Sequence, residues 1–138
     1  MFLVDTDVIS EARKGTKANP GVQEFLDDAT RNQTPLYLSA VTVGELRQGV
    51  ESIRHRGDAP QALQLSRWLD RLMRDYAAAI LAFDADVAQV WGRLRVPNPD
   101  HPLDKQIAAT ALIYDLVVAT RNTAHYAPTG VRVLNPFS

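Results

Sequence analysis

The 138-residue chain has no cysteine, which excludes disulfides, zinc–thiolate centres and a thiol nucleophile. It also lacks a long apolar run. Ala77–Phe83 is seven residues, against the ~20 needed to span a bilayer. Asp5, Asp7, Glu11 and Arg13 interrupt the N-terminus where the apolar stretch of a signal peptide would run. With no cysteine either, the expected address is cytoplasmic, with no membrane association. Neither sign of charge is in excess: 15 Lys and Arg face 16 Asp and Glu, for a net charge of −1. Proteins that grip nucleic acid mainly through its phosphates are usually basic overall. Any nucleic-acid role here must therefore rest on a local site or on a partner chain. The phosphate-cradling loops G-x-x-x-x-G-K-[ST] and G-x-G-x-x-G are missing. His55, His101 and His125 fall in predicted loops or helix ends and form no spaced pair, and no base is spaced to activate a serine.

What remains is an ordinary globular composition, 46% hydrophobic and 22% charged, in a length that suits one domain over residues 1–138. Short apolar runs alternate with amphipathic stretches. Phe2–Val4, Leu36–Leu38, Ile80–Ala82, Leu116–Ala119 and Val131–Leu134 read as strands, the first four continuously apolar, as parallel strands buried on both faces are. Val43, Leu46, Val50 and Ile53 share one helix face; Leu65, Trp68, Leu69, Leu72, Met73 and Tyr76 share another, and Val87, Val90, Trp91 and Leu94 a third. Ile107, Ala108, Ala111 and Leu112 mark an alanine-rich helix, and prolines 97, 99 and 102 make residues 96–102 a stiff loop before it. The pattern predicts an α/β fold with a central parallel sheet of about five strands and helices on both faces. In such sheets the ligand crevice lies beyond the carboxyl ends of the strands.

The acids gather at that edge. Asp5 follows the first strand, Glu45 lies in the helix after the second, Asp104 opens the alanine-rich helix, and Asn122 follows the fourth strand. Each has a plain structural reading. Asp7 suits an N-cap for a helix starting near Val8, Thr42-Val43-Gly44-Glu45 matches a capping box, and Asp104 suits the helix dipole. Together they argue for more, because carboxylates converging on one edge repel unless a cation neutralises them. With oxygen donors and neither Cys nor a His pair, Mg²⁺ or Mn²⁺ is the fitting ion. Such an ion activates water and polarises a phosphoryl oxygen, which suits phosphodiester hydrolysis.

Five motifs in order carry a resemblance: Leu3-Val4-Asp5-Thr6-Asp7-Val8-Ile9-Ser10-Glu11; Leu38–Leu46, which reads Leu-Ser-Ala-Val-Thr-Val-Gly-Glu-Leu; Asp104-x-x-Ile107-Ala108-Ala109-Thr110-Ala111-Leu112; Val118-Ala119-Thr120-Arg121-Asn122; and Asn135-Pro136-Phe137. Over residues 2–137 the chain resembles the PIN-domain ribonucleases, and more narrowly the VapC and FitB toxins of bacterial toxin–antitoxin pairs. The resemblance implies Mg²⁺- or Mn²⁺-dependent RNA cleavage by Asp5, Glu45 and Asp104, with Asp5 and Asp104 as metal ligands. It also implies a homodimer, and a small antitoxin that blocks the site and supplies any DNA binding. The family's fourth acid falls on Asn122, which carries no charge, and His125 stands where many relatives have an acid. One firmly bound ion is therefore expected.

Thr6, Ser39 and Thr120 are placed to orient the acids or bound water, and equally to serve as turn and cap residues. Arg121 flanks the site, within reach of a substrate phosphate. Arg67, Arg71 and Arg74 share a helix face that suits solvent, and Trp68 and Trp91 read as core. Two other functions fit part of the pattern. Asp5-Thr6-Asp7 approaches the D-x-D of haloacid dehalogenase-like phosphatases, although the later acidic pair is wanting: Asp27-Asp28 sits in a predicted helix before the second strand. A PIN-like binding module inactivated through Asn122 is the non-enzymatic alternative.

Overall fold

The computed structural model describes all residues, 1–138. Five strands, β1 (Phe2–Val4), β2 (Leu36–Ser39), β3 (Ile80–Leu81), β4 (Val117–Ala119) and β5 (Val133–Leu134), form one sheet in the order β3-β2-β1-β4-β5. Every pairing is parallel. The seven helices are α1 (Thr6–Ala12), α2 (Pro20–Arg31), α3 (Ala40–His55), α4 (Ala59–Asp75), α5 (Ala85–Leu94), α6 (Pro102–Tyr114) and α7 (Thr123–Tyr126). The expected parallel α/β sheet is present. Its edge strands are shorter than the apolar runs suggest: Ala82, Val131 and Arg132 lie outside the strand bounds, as does Leu116 before β4. Pro102 belongs to α6 rather than to the preceding loop, at a first-turn position where its missing N–H costs nothing.

Period-two alternation in β1 divides the interior between the two faces of the sheet. Val4 packs with Leu38 of β2 and with Val8, Val22, Leu46, Val50, Leu69 and Leu72 from α1 to α4. Leu3 packs with Ile107, Ala108, Ala111, Leu116, Val118 and Tyr126 on the other side. The small alanines let α6 lie close against the sheet, as the sequence suggests. The C-terminal tail returns to α2, where Asn19 Oδ1 caps the helix and also accepts from the Ser138 amide at 3.0 Å. Only glycine fits at position 21, because a Cβ there would stand 2.3 Å from the Pro136 carbonyl oxygen.

The strand order creates the site. Successive connections run from β1 outward through β2 to β3, and the chain then crosses back to place β4 on the free side of β1. The carboxyl ends of β1 and β4 thus flank a topological switch point, where loops diverge and leave a crevice.

Candidate active site

Asp5 leaves β1 and caps α1, its Oδ1 accepting from the Thr6 amide at 2.8 Å. Its Oδ2 accepts from the Thr120 hydroxyl at 2.8 Å and the Tyr126 hydroxyl at 3.1 Å. The side chain is buried, and burial, followed by the charge of Asp7, pushes its carboxyl up to about 7 against the Thr120 and Thr6 hydrogen bonds. Asp5 rather than Asp7 is the N-cap, two residues earlier than the sequence pattern suggests. Asp7 is thereby freed into the first turn of α1. Its Oδ2 accepts from the Arg121 amide at 2.9 Å, while Oδ1 is buried without a partner. Burial raises this carboxyl too, with the Arg121 amide and guanidinium among the opposing influences.

Glu45 reaches the same place from α3. The capping-box reading fails here: Ser39 caps α3 by accepting from the Val41 amide at 3.0 Å. Thr42 is buried, and Glu45 Oε1 instead accepts from the Thr6 hydroxyl at 2.7 Å. The Thr6 and Thr42 hydroxyls lie 3.1 Å apart. Burial raises the Glu45 carboxyl, with the charges of Asp104 and Asp7 adding to the effect. Asp104 stands in the first turn of α6, its Oδ2 2.7 Å from Nδ1 of His125. The charge of Asp104 raises Asp5, Asp7 and Glu45 alike. Asp7 and Asp104 are thus each within electrostatic range of the other three acids.

The flanking residues divide. Thr6 and Thr120 each hold a carboxylate, whereas Ser39 only caps. Thr120 Oγ1 also accepts from the Asn122 amide at 3.0 Å. The Asn122 side chain makes no capping hydrogen bond to α7. The Arg121 guanidinium lies 3.8 Å over the ring of Phe137, fixed beside the site. Trp68 is only half-buried. It lines a cleft of about 180 Å³ with Thr6, Glu45, Ser10 and Arg13, and Arg71 joins Arg13 and Trp68 in the adjoining groove. Trp91 lies away from this cleft and donates to the Pro102 carbonyl at 3.0 Å.

Sequence spacing left three side chains out. Tyr126 gave no signal, being one apolar-looking residue in a short helix. Histidines 101 and 125 lack ligand spacing in the chain, yet their rings stack with centroids 3.7 Å apart, beside Asp104. Asp7 is visible in the sequence but reads there as a cap.

The donor set fits a hard divalent ion. Carboxylate oxygens dominate, one of them on Asp7 is buried with no protein partner, and close acids need a neutralising charge. Asp5, Asp7, Glu45 and Asp104 are the residues able to hold it.

Comparison with known proteins agrees with this architecture. Residues 2–130 match the PIN domain family. The chain is 36% identical to the toxin FitB of Neisseria gonorrhoeae over 142 aligned positions, covering 99% of each protein. It is 31% identical to the VapC ribonuclease Y4jK of Sinorhizobium fredii, covering 99% of this chain and 98% of that one. It superposes with a TM-score of 0.85 and 33% identity on a chain of the structure of FitAB bound to an IR36 DNA fragment, covering 100% of this chain and 96% of the other. Sheet order, acidic switch point and whole-length identity lead to one assignment: the chain belongs to the PIN-domain family, with toxins of the FitB and VapC kind among its relatives.

Proposed function

We propose that this chain is an endoribonuclease that hydrolyses RNA phosphodiester bonds with Mg²⁺ or Mn²⁺ and serves as the toxin of a toxin–antitoxin pair. The observation that carries the reading is the convergence of Asp5, Asp7, Glu45 and Asp104 at the switch point, with Asp7 Oδ1 buried and unpartnered. Asp5 and Asp104 hold the ion, with Glu45 and the free Asp7 oxygen beside them. When bound, the ion supplies a water of lowered pKa and polarises a phosphoryl oxygen. The chain's own residues keep the acids in place: Thr120 and Tyr126 fix Asp5, Thr6 fixes Glu45, and His125 fixes Asp104. Glu45, raised by burial, is suited to take the proton of the attacking water. Arg13, Arg71 and Trp68 along the adjoining groove suit a phosphate backbone and a base face.

Partners follow the same reading. A small antitoxin occupies the cleft and carries the DNA binding, in keeping with a net charge of −1 and with FitAB, the relative solved on DNA. A homodimer is supported by Leu112, Ile113 and Tyr114, all exposed at the end of α6. The proposed setting is the cytoplasm, and no helix is long and apolar enough to cross a membrane.

The test is cleavage of a fluorogenic RNA by the purified chain freed of any partner. Cleavage should require Mg²⁺ or Mn²⁺, stop with chelator, and disappear in Glu45→Gln and Asp104→Asn with circular dichroism unchanged. Cleavage that survives chelator or these variants sinks the proposal. So does an inert chain, which would leave a non-catalytic binding module.

A further inference from the structure

The side chains around Asp104 on its histidine side differ in chemistry from the acids Asp5, Asp7 and Glu45. His101, Asp104 and His125 each offer one donor atom, and these atoms all lie within 4.8 Å of one another. The Asp104–His125 contact explains one of the three positions, at 2.7 Å. It does not explain His101. That residue stands at the N-cap position of α6 without making a capping bond, and its backbone is left-handed at φ 53°, an uncommon region for a residue with a Cβ. Its ring instead lies nearly parallel to that of His125, at 13°.

The loop that presents His101 is braced. The Lys105 ammonium is buried beneath it and donates to the carbonyls of Asn98 and Asp100. The Trp91 indole ties down the Pro102 carbonyl at 3.0 Å. His125 is anchored by its neighbour Tyr126, which is wholly buried and bonded to Asp5. Two imidazoles and a carboxylate therefore arrive on three supported segments: a loop, a helix first turn and a short helix.

We infer that His101, Asp104 and His125 form a second cation site, built for a borderline divalent ion such as Zn²⁺. Imidazole nitrogen favours Zn²⁺, Co²⁺ and Ni²⁺ over Mg²⁺, and three protein ligands with an open fourth position is a common zinc arrangement. Tetrahedral zinc with bonds of about 2.0–2.1 Å spaces its ligands about 3.3 Å apart. Modest rotations of the exposed His101 and half-buried His125 rings close that gap by fanning the stack open. Asp5, Asp7 and Glu45 lie within electrostatic range of Asp104 and add negative potential when ionised. Asp104 belongs to both sites, so an ion held by the histidines competes with Mg²⁺ or Mn²⁺ for that carboxylate. The nuclease reading is needed only for this competition, not for the zinc site.

The experiment is a calorimetric titration of the chelator-stripped full chain with Zn²⁺, paralleled by Co²⁺ absorption, which intensifies in a four-coordinate site. One Zn²⁺ should bind per chain. His101→Ala and His125→Ala should each weaken it by at least about tenfold, with His101→Ala leaving Mn²⁺ binding as it was. His101 is exposed, so its variant keeps the fold and decides the matter if His125→Ala melts. Equal Zn²⁺ affinity in wild type and His101→Ala overturns the inference. So does the joint loss of Zn²⁺ and Mn²⁺ binding in His101→Ala, which would make the two sites one. A chain that binds Zn²⁺ through the histidines but cuts no RNA retains this site and loses the proposed function.

Discussion

The acids of the cleft are held in two different ways. Asp5, at its floor, is 3% exposed and takes three hydrogen bonds from three segments, yet burial and Asp7 keep its proton bound up to about pH 7. Asp104, at the rim, keeps 19% of its side chain exposed and leans on a single imidazole. The floor is rigid and energetically expensive for the fold, whereas the rim is open and adjustable. Sites commonly combine such a fixed group with a more accessible one, since a preorganised group has been desolvated before any ligand arrives. On this account the floor sets whether the site works, and the rim sets which ion it admits.

Substitutions separate the two regions. Asp5→Asn should abolish RNA cleavage, as the proposed ligand role requires, whereas His125→Ala should lower it about 10- to 100-fold by loosening Asp104. Steady-state cleavage rates in Mn²⁺ measure both. Equal losses would erase the distinction.

The next effect is on stability in chelator. An unfolded chain sheds the Asp5 proton near the usual value of 3.8, and the folded chain keeps it up to about 7. Unfolding then releases a proton across that window, so stability falls as pH rises from about 4 to 7 and levels off above. Asp5 contributes up to about 4 kcal/mol of that fall, with Asp7 and Glu45 acting in the same direction. Urea melts at pH 4, 5.5, 7 and 8 should show the slope, and Asp5→Asn should flatten it. A slope unchanged in the variant would remove Asp5 as its source.

How far these regions were legible in the chain follows from how each is built. The floor acids announce themselves because strand ends are readable: an apolar triplet followed by Asp5, and Ser39 with Glu45 after the second run. Parallel order and helix faces follow from the same periodicities. Asp7 was misread because Asp5 and Asp7 are both competent caps, and only the backbone decides which one turns. Glu45 was masked by a capping-box pattern whose threonine is buried. At the rim Asp104 reads from the sequence as the opening acid of α6, but the meeting of the two histidines beside it does not. His101 and His125 are far apart in the chain, and they meet only because the left-handed turn at His101 and the short helix α7 face each other across α6. No local pattern encodes that meeting.

Smaller effects sharpen the contrast. Tyr126→Phe removes one of the bonds to Asp5 and should cost about 1–2 kcal/mol at pH 8, where the carboxylate is charged and needs its donors. His101→Gly should stabilise the chelated protein by up to about 1 kcal/mol, because glycine tolerates the left-handed backbone. Thermal melts of both variants check this. A floor variant that gains stability, or a rim variant that loses as much as Tyr126→Phe, would reverse the assignment of rigid and open regions.

The most direct test of the central claim, that the acids of the switch point form one hard-cation site, is calorimetric titration of Mn²⁺ into the chelator-stripped wild type, Asp5→Asn and Asp104→Asn at pH 7.5. Binding should be saturable in the wild type, with affinities weaker by at least about tenfold in both variants. Equal affinity and stoichiometry in all three would contradict it.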